Sequence, residues 1–108
     1  MKFCDKLKYL RESVGYGFNE FWKVAKISNV YLSGLENGSK PPPPHQRQME
    51  FIKILNSKKN ISEKDIVQFY DLAARERGEL PADIIVNYGY NEVISEIRRL
   101  LKEKNNEK

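Results

Sequence analysis

Residues 27–38 read Ile-Ser-Asn-Val-Tyr-Leu-Ser-Gly-Leu-Glu-Asn-Gly, and this stretch decides the fold. Ser28 can cap the free backbone N–H groups at the start of a helix. Gly38 supplies the left-handed residue at which helices commonly stop. The stretch therefore predicts a short helix over Asn29–Asn37, and its apolar face is made by Tyr31, Leu32 and Leu35.

Two more helices are predicted on the N-terminal side of this stretch. Apolar residues recur there at steps of three and four, at Phe3, Leu7, Leu10 and Val14. Gly15 and Gly17 end that first helix. A second helix of about two turns is predicted over residues 19–26, with Asn19 as its N-cap.

On the C-terminal side, the four prolines at residues 41–44 predict a stiff, extended crossover. A fourth helix should begin near His45 or Gln46, and a fifth should run from the Ser62 cap to Gly78. The sequence thus predicts an all-α fold, with a compact five-helix domain over residues 1–76.

Residues 77–108 are predicted to form a helical extension of that domain. Pro81 can open one or two helical turns, although residues 84–86, Ile-Ile-Val, also fit a short strand. The last helix should start at an Asn91 cap, and the polar residues 103–108 should be disordered. A broad apolar face on that helix favours a dimer interface, made by Val93, Ile94, Ile97, Leu100 and Leu101.

Charge and composition limit the classes of function that fit this chain. The chain has 108 residues and a net charge of +4. Residues 1–48 hold eight basic and four acidic side chains, whereas the remainder holds eleven of each. The excess positive charge therefore lies in the first half, where it would attract a polyanion.

Other classes of protein are disfavoured by what the sequence lacks. With one cysteine, Cys4, and one histidine, His45, we expect no disulfide, no metal site and no cofactor. No nucleophile and base pair or glycine-rich phosphate loop suggests an enzyme. No apolar run is long enough for a membrane span or a signal peptide, so we expect a soluble, cytoplasmic protein.

Several motifs together resemble one large family. They are Phe3-x3-Leu7-x2-Leu10-Arg11, the stretch Ile27-Ser28-x2-Tyr31-Leu32-Ser33-x-Leu35-Glu36-x-Gly38, and Lys40 followed by prolines. They resemble the Xre/Cro, lambda-repressor-like helix-turn-helix regulators. The residues from Asp71-Leu72-Ala73 to Glu79-Leu80-Pro81-Ala82-Asp83-Ile84 resemble an extension found after that domain in some bacterial and mobile-element regulators. The resemblance implies a transcriptional repressor that binds operator DNA as a dimer.

The resemblance also implies a set of contacts with double-stranded DNA. Base edges would be contacted by Asn29, Val30, Ser33 and Gly34. Phosphates would be contacted by Asn19, Lys23, Asn37, Lys40, Gln46 and Arg47. Glu36 would repel phosphate, so it is better interpreted as an internal anchor, with Arg11 as its partner.

Two residues depart from the family pattern in the turn between the second and third helices. Trp22 stands where alanine is usual, so it must push the helices apart or swing outward. Lys26 stands where glycine is usual, and a lysine with positive φ costs about 1 kcal/mol.

Two alternative functions follow. One is an antitoxin-type regulator that binds a toxin through its C-terminal part. The other is a protein-interaction module that has lost DNA binding, as Trp22, Lys26 and Gly34 suggest.

Overall fold

The computed structural model describes residues 1–106, so the last two residues of the predicted extension lie outside the described part. Within that part the chain forms seven helices and no strand, which confirms the all-α class. The helices are α1 (Phe3–Ser13), α2 (Phe18–Val24), α3 (Asn29–Asn37), α4 (His45–Lys58), α5 (Glu63–Arg77), α6 (Ala82–Tyr88) and α7 (Tyr90–Asn106).

Local capping sets the bounds of α3 and α5 as predicted. The Ser28 hydroxyl accepts a hydrogen bond from the backbone N–H of Tyr31 at 3.0 Å. The Ser62 hydroxyl accepts one from the backbone N–H of Asp65 at 3.1 Å. Both helices end at left-handed glycines, Gly38 and Gly78. These side chains satisfy N–H groups that a helix start leaves without partners.

Other predictions about helix ends are wrong. The N-cap of α2 is Gly17, so Asn19 lies inside the helix, where its side-chain oxygen accepts a hydrogen bond from Trp22 Nε1 at 3.1 Å. Asn91 does not begin α7 either, since the helix already includes Tyr90 and follows Gly89, whose φ is +82°. Asn19 and Asn91 both have side chains suited to capping, but each helix begins at least one residue before the asparagine.

The extension agrees with the expectations at one place and differs from them at another. The one or two helical turns predicted after Pro81 are the helix α6, which includes residues 84–86, so the alternative of a short strand is wrong. Residues 103–106 continue α7, although their polar composition predicted disorder. Because the charged residues of α7 can pair at positions three and four apart, the helix persists through the polar stretch. One example is Arg99, which bonds Glu103 at 2.6 Å.

The core lies between α1 and the helices around it. Helix α1 packs against α3 and α5. Phe3 and Phe69 have ring centroids 5.0 Å apart, and Phe21 and Phe51 form an edge-to-face pair at 5.5 Å. All four rings are buried, and aromatic pairs in these tilted and edge-to-face arrangements stabilise a core beyond the area that they bury.

One lysine is buried in this core region. Lys6 on α1 is 2% exposed, and its ammonium donates hydrogen bonds of 2.7 Å to Asp65 and to Gln68 on α5. The hydrogen bond from Lys6 lowers the pKa of Asp65. A buried ammonium without such partners would be very costly, so the contact ties α1 to α5 in one position.

Helix α7 projects from the body of the protein. Helix α6 packs on α4 and α5, whereas the main partner of α7 is α6. The radius of gyration is 16.1 Å, compared with about 13 Å for a compact domain of this length. The longest extent is 55 Å, about twice the other two. Most of α7 therefore has little protein around it.

Candidate nucleic-acid interface

Helix α3 is fixed to α1 by a buried ion pair. Arg11 donates two hydrogen bonds to the Glu36 carboxylate, at 2.7 and 3.0 Å, and a third to the backbone carbonyl of Tyr16 at 2.9 Å. Both charged side chains are buried. The hydrogen bond with Glu36 raises the pKa of Arg11. The prediction that Glu36 is an internal anchor is confirmed, and this pair sets which face of α3 points outward.

The connection between α2 and α3 is short and contains a strained residue. Lys26 has φ +58°, a left-handed conformation that residues other than glycine rarely adopt. The turn is closed by a hydrogen bond from the backbone N–H of Ile27 to the Trp22 carbonyl at 3.1 Å. The positive φ expected for Lys26 is therefore confirmed.

Trp22 lies at the edge of the core, partly buried against it. Its ring is covered on one side by the Lys23 ammonium, 5.4 Å from the ring centroid. We expected a tryptophan at this position either to push the helices apart or to swing outward. The partial exposure of Trp22 agrees with a side chain that swings outward. A cation above an indole ring is attracted by its negative face, so Lys23 has a defined place on this surface.

The outward face of α3 forms the floor of an open groove of about 450 Å³, which we call the α3 groove. Its lining residues are Phe18, Asn29, Val30, Ser33, Gly34, Asn37, Ser39 and Lys40. Val30 is 71% exposed, so its methyl groups are available for contact with a ligand in this groove. The structure thus brings the four predicted base-contact residues together in one groove.

Gly34 is the one of these four that is buried, and Lys40 is the residue that covers it. The backbone N–H of Lys40 donates a hydrogen bond to the Gly34 carbonyl at 3.0 Å. A Cβ atom at position 34 would lie 2.3 Å from Lys40 Cγ, well inside contact distance. Gly34 therefore lets the Lys40 side chain cross the helix and enter the α3 groove.

Sequence reasoning missed this role of Gly34. It placed Gly34 among the base contacts and Lys40 among the phosphate contacts, and it did not predict that the two residues contact each other. A glycine inside a helix lowers stability by roughly 1 kcal/mol relative to alanine, so its presence in α3 was the available signal that another part of the chain comes close to the helix there.

The predicted phosphate contacts do not all lie together. Asn37 lines the α3 groove beside Lys40, and its side-chain oxygen accepts a hydrogen bond from the backbone N–H of Ser39 at 2.8 Å. Asn19 and Lys23 are exposed on α2.

Gln46 and Arg47 occupy the first turn of α4 and do not line the α3 groove. Gln46 is exposed, and Arg47 is held by an ion pair of 3.4 Å with Glu50.

The acidic residues of α2 and α3 are neutralised within the protein. Glu20 pairs with Lys58 at 3.6 Å, and Glu36 pairs with Arg11. Lys40 leaves positive charge in the α3 groove, and Lys23 and Lys26 are exposed on α2 and in the turn that follows it.

A second groove, of about 970 Å³, lies between the start of α4 and the extension. Two of its charged side chains, Arg77 and Glu79, bind each other. Arg77 binds the Glu79 carboxylate with two hydrogen bonds of 3.1 Å and the Pro42 carbonyl with one of 2.8 Å. The hydrogen bond from Arg77 lowers the pKa of Glu79. His45 Nε2 lies 3.0 Å from the same carboxylate. We interpret this cluster as a clamp that holds the proline crossover.

The predicted dimer residues form a partly uncovered face of α7. Val93 and Ile94, near α6, are half-buried. Ile97, Leu100 and Leu101 are 38%, 52% and 56% exposed.

Comparison with protein-family models, with curated proteins and with solved structures finds no match for this chain. Among the described residues, no cluster of histidine, cysteine and acidic side chains is arranged to hold a metal ion. None of the described helices has both the length and the apolar character needed to cross a membrane.

Proposed function

We propose that this protein is a transcriptional regulator of the Xre/Cro type that binds double-stranded DNA. In this proposal α1 to α5 form the lambda-repressor-like domain, α2 and α3 form its helix-turn-helix, and α3 enters the major groove. Bound as a dimer to an operator, the cytoplasmic protein represses transcription by occupying the site.

The observation that carries the proposal is the two-sided character of α3. One side is fixed to the core through Leu32, Leu35 and the Arg11–Glu36 pair. The other side exposes small and polar side chains and one aliphatic side chain, with Lys40 beside them in the α3 groove. The major groove admits an α-helix, and a polar helix face with a lysine beside it suits the major groove.

The residues divide into two kinds of contact. Asn29 can pair with both hydrogen-bonding groups of adenine in the major groove, Val30 can contact a thymine methyl group, and Ser33 can bond either type of base. Lys23 and Asn37 can bind the phosphates on either side. Lys40 crosses the helix at Gly34, so its ammonium can reach a guanine edge or a nearby phosphate.

The test is a selection of binding sites from random double-stranded DNA, followed by fluorescence anisotropy over a range of salt concentrations. We expect Lys23→Ala to weaken binding to every sequence and to reduce the slope of log affinity against log salt by about 0.9. Asn29→Ala should instead change which sequences are selected.

The matched control is Lys64→Ala, which removes the same charge from an exposed position on α5, a helix that is not part of the proposed helix-turn-helix. It should bind as the wild type does. A wild-type protein that binds no DNA even at low salt would overturn the proposal.

One observation favours a second candidate function, which is an antitoxin-type regulator or a protein-interaction module. The exposed apolar side chains of α7 are of the kind that contact another protein. In an interaction module without DNA binding, Lys23→Ala would have no effect on the partner that α7 binds.

A further inference from the structure

The side chain of Lys40 occupies the place that a side chain at position 34 would take. A Cβ atom at position 34 would lie 2.3 Å from Lys40 Cγ and 3.3 Å from Lys40 Cβ. The hydrogen bond from the Lys40 backbone N–H to the Gly34 carbonyl holds the loop against α3 at this point. Helix α3 therefore has no side chain of its own at position 34, and the side chain of Lys40 lies there.

Position 34 belongs to the part of α3 that lines the α3 groove. Gly34 follows Ser33 and lies one helical turn after Val30, and all three residues line the groove. Residues four positions apart are neighbours on one face of a helix. In the proposed complex this face points to the base edges, whereas phosphates border the major groove. Lys40 therefore reaches the DNA from within the face that contacts bases, although it belongs to the loop after α3.

The ammonium of Lys40 has no ion-pair partner among residues 1–106. Arg47, another of the predicted phosphate contacts, instead pairs with Glu50 at 3.4 Å. The Lys40 side chain is also exposed in the α3 groove. Its charge is therefore available to a ligand in this groove.

An ammonium on this face favours one base over the others. Lysine has three N–H donors and no acceptor. In the major groove guanine presents two acceptors, N7 and O6, whereas cytosine presents a donor. Adenine and thymine each present one acceptor, beside a donor in adenine and a methyl group in thymine. Guanine is therefore the base that best matches Lys40.

We infer that Lys40 selects a guanine, at the place where a side chain of residue 34 would contact a base. The sequence had placed Lys40 among the phosphate contacts, which hold DNA without reading its sequence. The inference rests on the proposed function, because it needs α3 in the major groove. The two fail separately, since a protein can bind DNA and choose its sites without Lys40.

The first test is a selection of binding sites from random double-stranded DNA, made in parallel for the wild type, Lys40→Ala and Lys23→Ala. Wild-type sites should carry a guanine at one position, and Lys40→Ala should accept any base there but keep the other preferences. Lys23→Ala, the matched removal of charge at a predicted phosphate contact, should bind more weakly and keep the guanine. Positions 30 and 34 are about 6 Å apart along α3. The guanine should therefore lie within about two base pairs of the position whose preference changes in Val30→Ala.

The choice of base decides the outcome, and the salt dependence does not. An ammonium neutralises DNA charge whether it binds a base or a phosphate, so Lys40→Ala should lower the salt slope in both cases. A Lys40→Ala protein that binds DNA and selects the same sites as the wild type would overturn the inference and leave the proposed function intact. A wild type that binds no DNA at low salt would overturn the proposed function, and the inference with it.

The second test changes the DNA instead of the protein. Replacing the selected guanine by 7-deazaguanine removes the N7 acceptor and leaves the base pair and the phosphates in place. In fluorescence anisotropy the wild type should bind the modified site at least about fivefold more weakly, whereas Lys40→Ala should bind both sites equally. Equal affinity of the wild type for the two sites would overturn the inference, and so would an equal loss in both proteins. The wild-type comparison holds even where a variant fails to fold.

The third test moves the contact to residue 34 itself. In the double variant Gly34→Gln with Lys40→Ala, the shorter residue 40 leaves room for the glutamine side chain. Glutamine pairs with N6 and N7 of adenine, so this variant should select adenine where the wild type selects guanine. Circular dichroism checks that the variant remains helical. A folded double variant that keeps the guanine, or that has no preference at that position, would show that residues 34 and 40 do not reach the same base pair, and would overturn the inference.

Discussion

Replacing Lys26 by glycine should stabilise the protein. The positive φ of Lys26, +58°, places its Cβ atom close to its own carbonyl group. This conformation costs a residue other than glycine roughly 1–2 kcal/mol. Glycine removes that cost but loses more backbone entropy on folding, by about 0.5–1 kcal/mol. The net gain in the free energy of unfolding is therefore about 0.5–1 kcal/mol.

This gain corresponds to a measurable shift in Tm. The entropy of unfolding is about 2.1 cal/mol/K per residue, or roughly 0.23 kcal/mol/K for this chain. Tm should therefore rise by about 2–4 °C in thermal unfolding followed by circular dichroism.

Lys26→Ala is the matched control for this measurement. It removes the same charge but keeps a Cβ atom at the strained position, so its Tm should stay near that of the wild type. The difference between the two variants then reports the backbone conformation and not the charge. If Lys26→Gly is no more stable than Lys26→Ala, residue 26 is not left-handed in solution, and the described turn between α2 and α3 is wrong.

Three further predictions address the buried ion pair, a buried tyrosine and the α3 groove. Arg11→Met should lower the free energy of unfolding in urea by about 3–5 kcal/mol, because the buried Glu36 carboxylate loses its partner; an effect below about 1 kcal/mol would mean that water reaches the pair. Burial raises the pKa of Tyr70 to about 12. Its contribution to stability should therefore be intact below pH ~10 and decline by about 1.4 kcal/mol per unit as the pH rises toward the folded-state pKa. Tyr70→Phe should make the alkaline loss less steep, and equal slopes for the two proteins would contradict the assignment. Gly34→Ala should displace Lys40 and reduce the salt slope of DNA binding by about 0.9, and unchanged binding would show that Lys40 makes no contact.

The bounds of α3 and α5 could be predicted because their signals are local. Each helix begins where a serine hydroxyl accepts a hydrogen bond from the backbone N–H three residues later, and each ends at a glycine after the last helical residue. Both signals lie within one helical turn of the end that they determine. The start of α2 could not be predicted in the same way. Gly17 and Asn19 are both suitable caps, and the choice of Gly17 adds Phe18, which packs against the core, to the helix.

The candidate site could be predicted only in part, for a related reason. Asn29, Val30 and Ser33 share a face because helical spacing determines it, and the internal role of Glu36 could be predicted because its charge would repel phosphate. The approach of Lys40 to Gly34 depends on how the chain folds back after α3, and no periodicity in the sequence encodes that path.

The approach of Lys40 to Gly34 has a consequence for the order in which the two positions can change during evolution. A Cβ atom at position 34 would lie 2.3 Å from Lys40 Cγ, so a larger residue at position 34 collides with the side chain at position 40. A small residue at position 40 removes that collision in advance. Substitution at position 40 should therefore come before substitution at position 34.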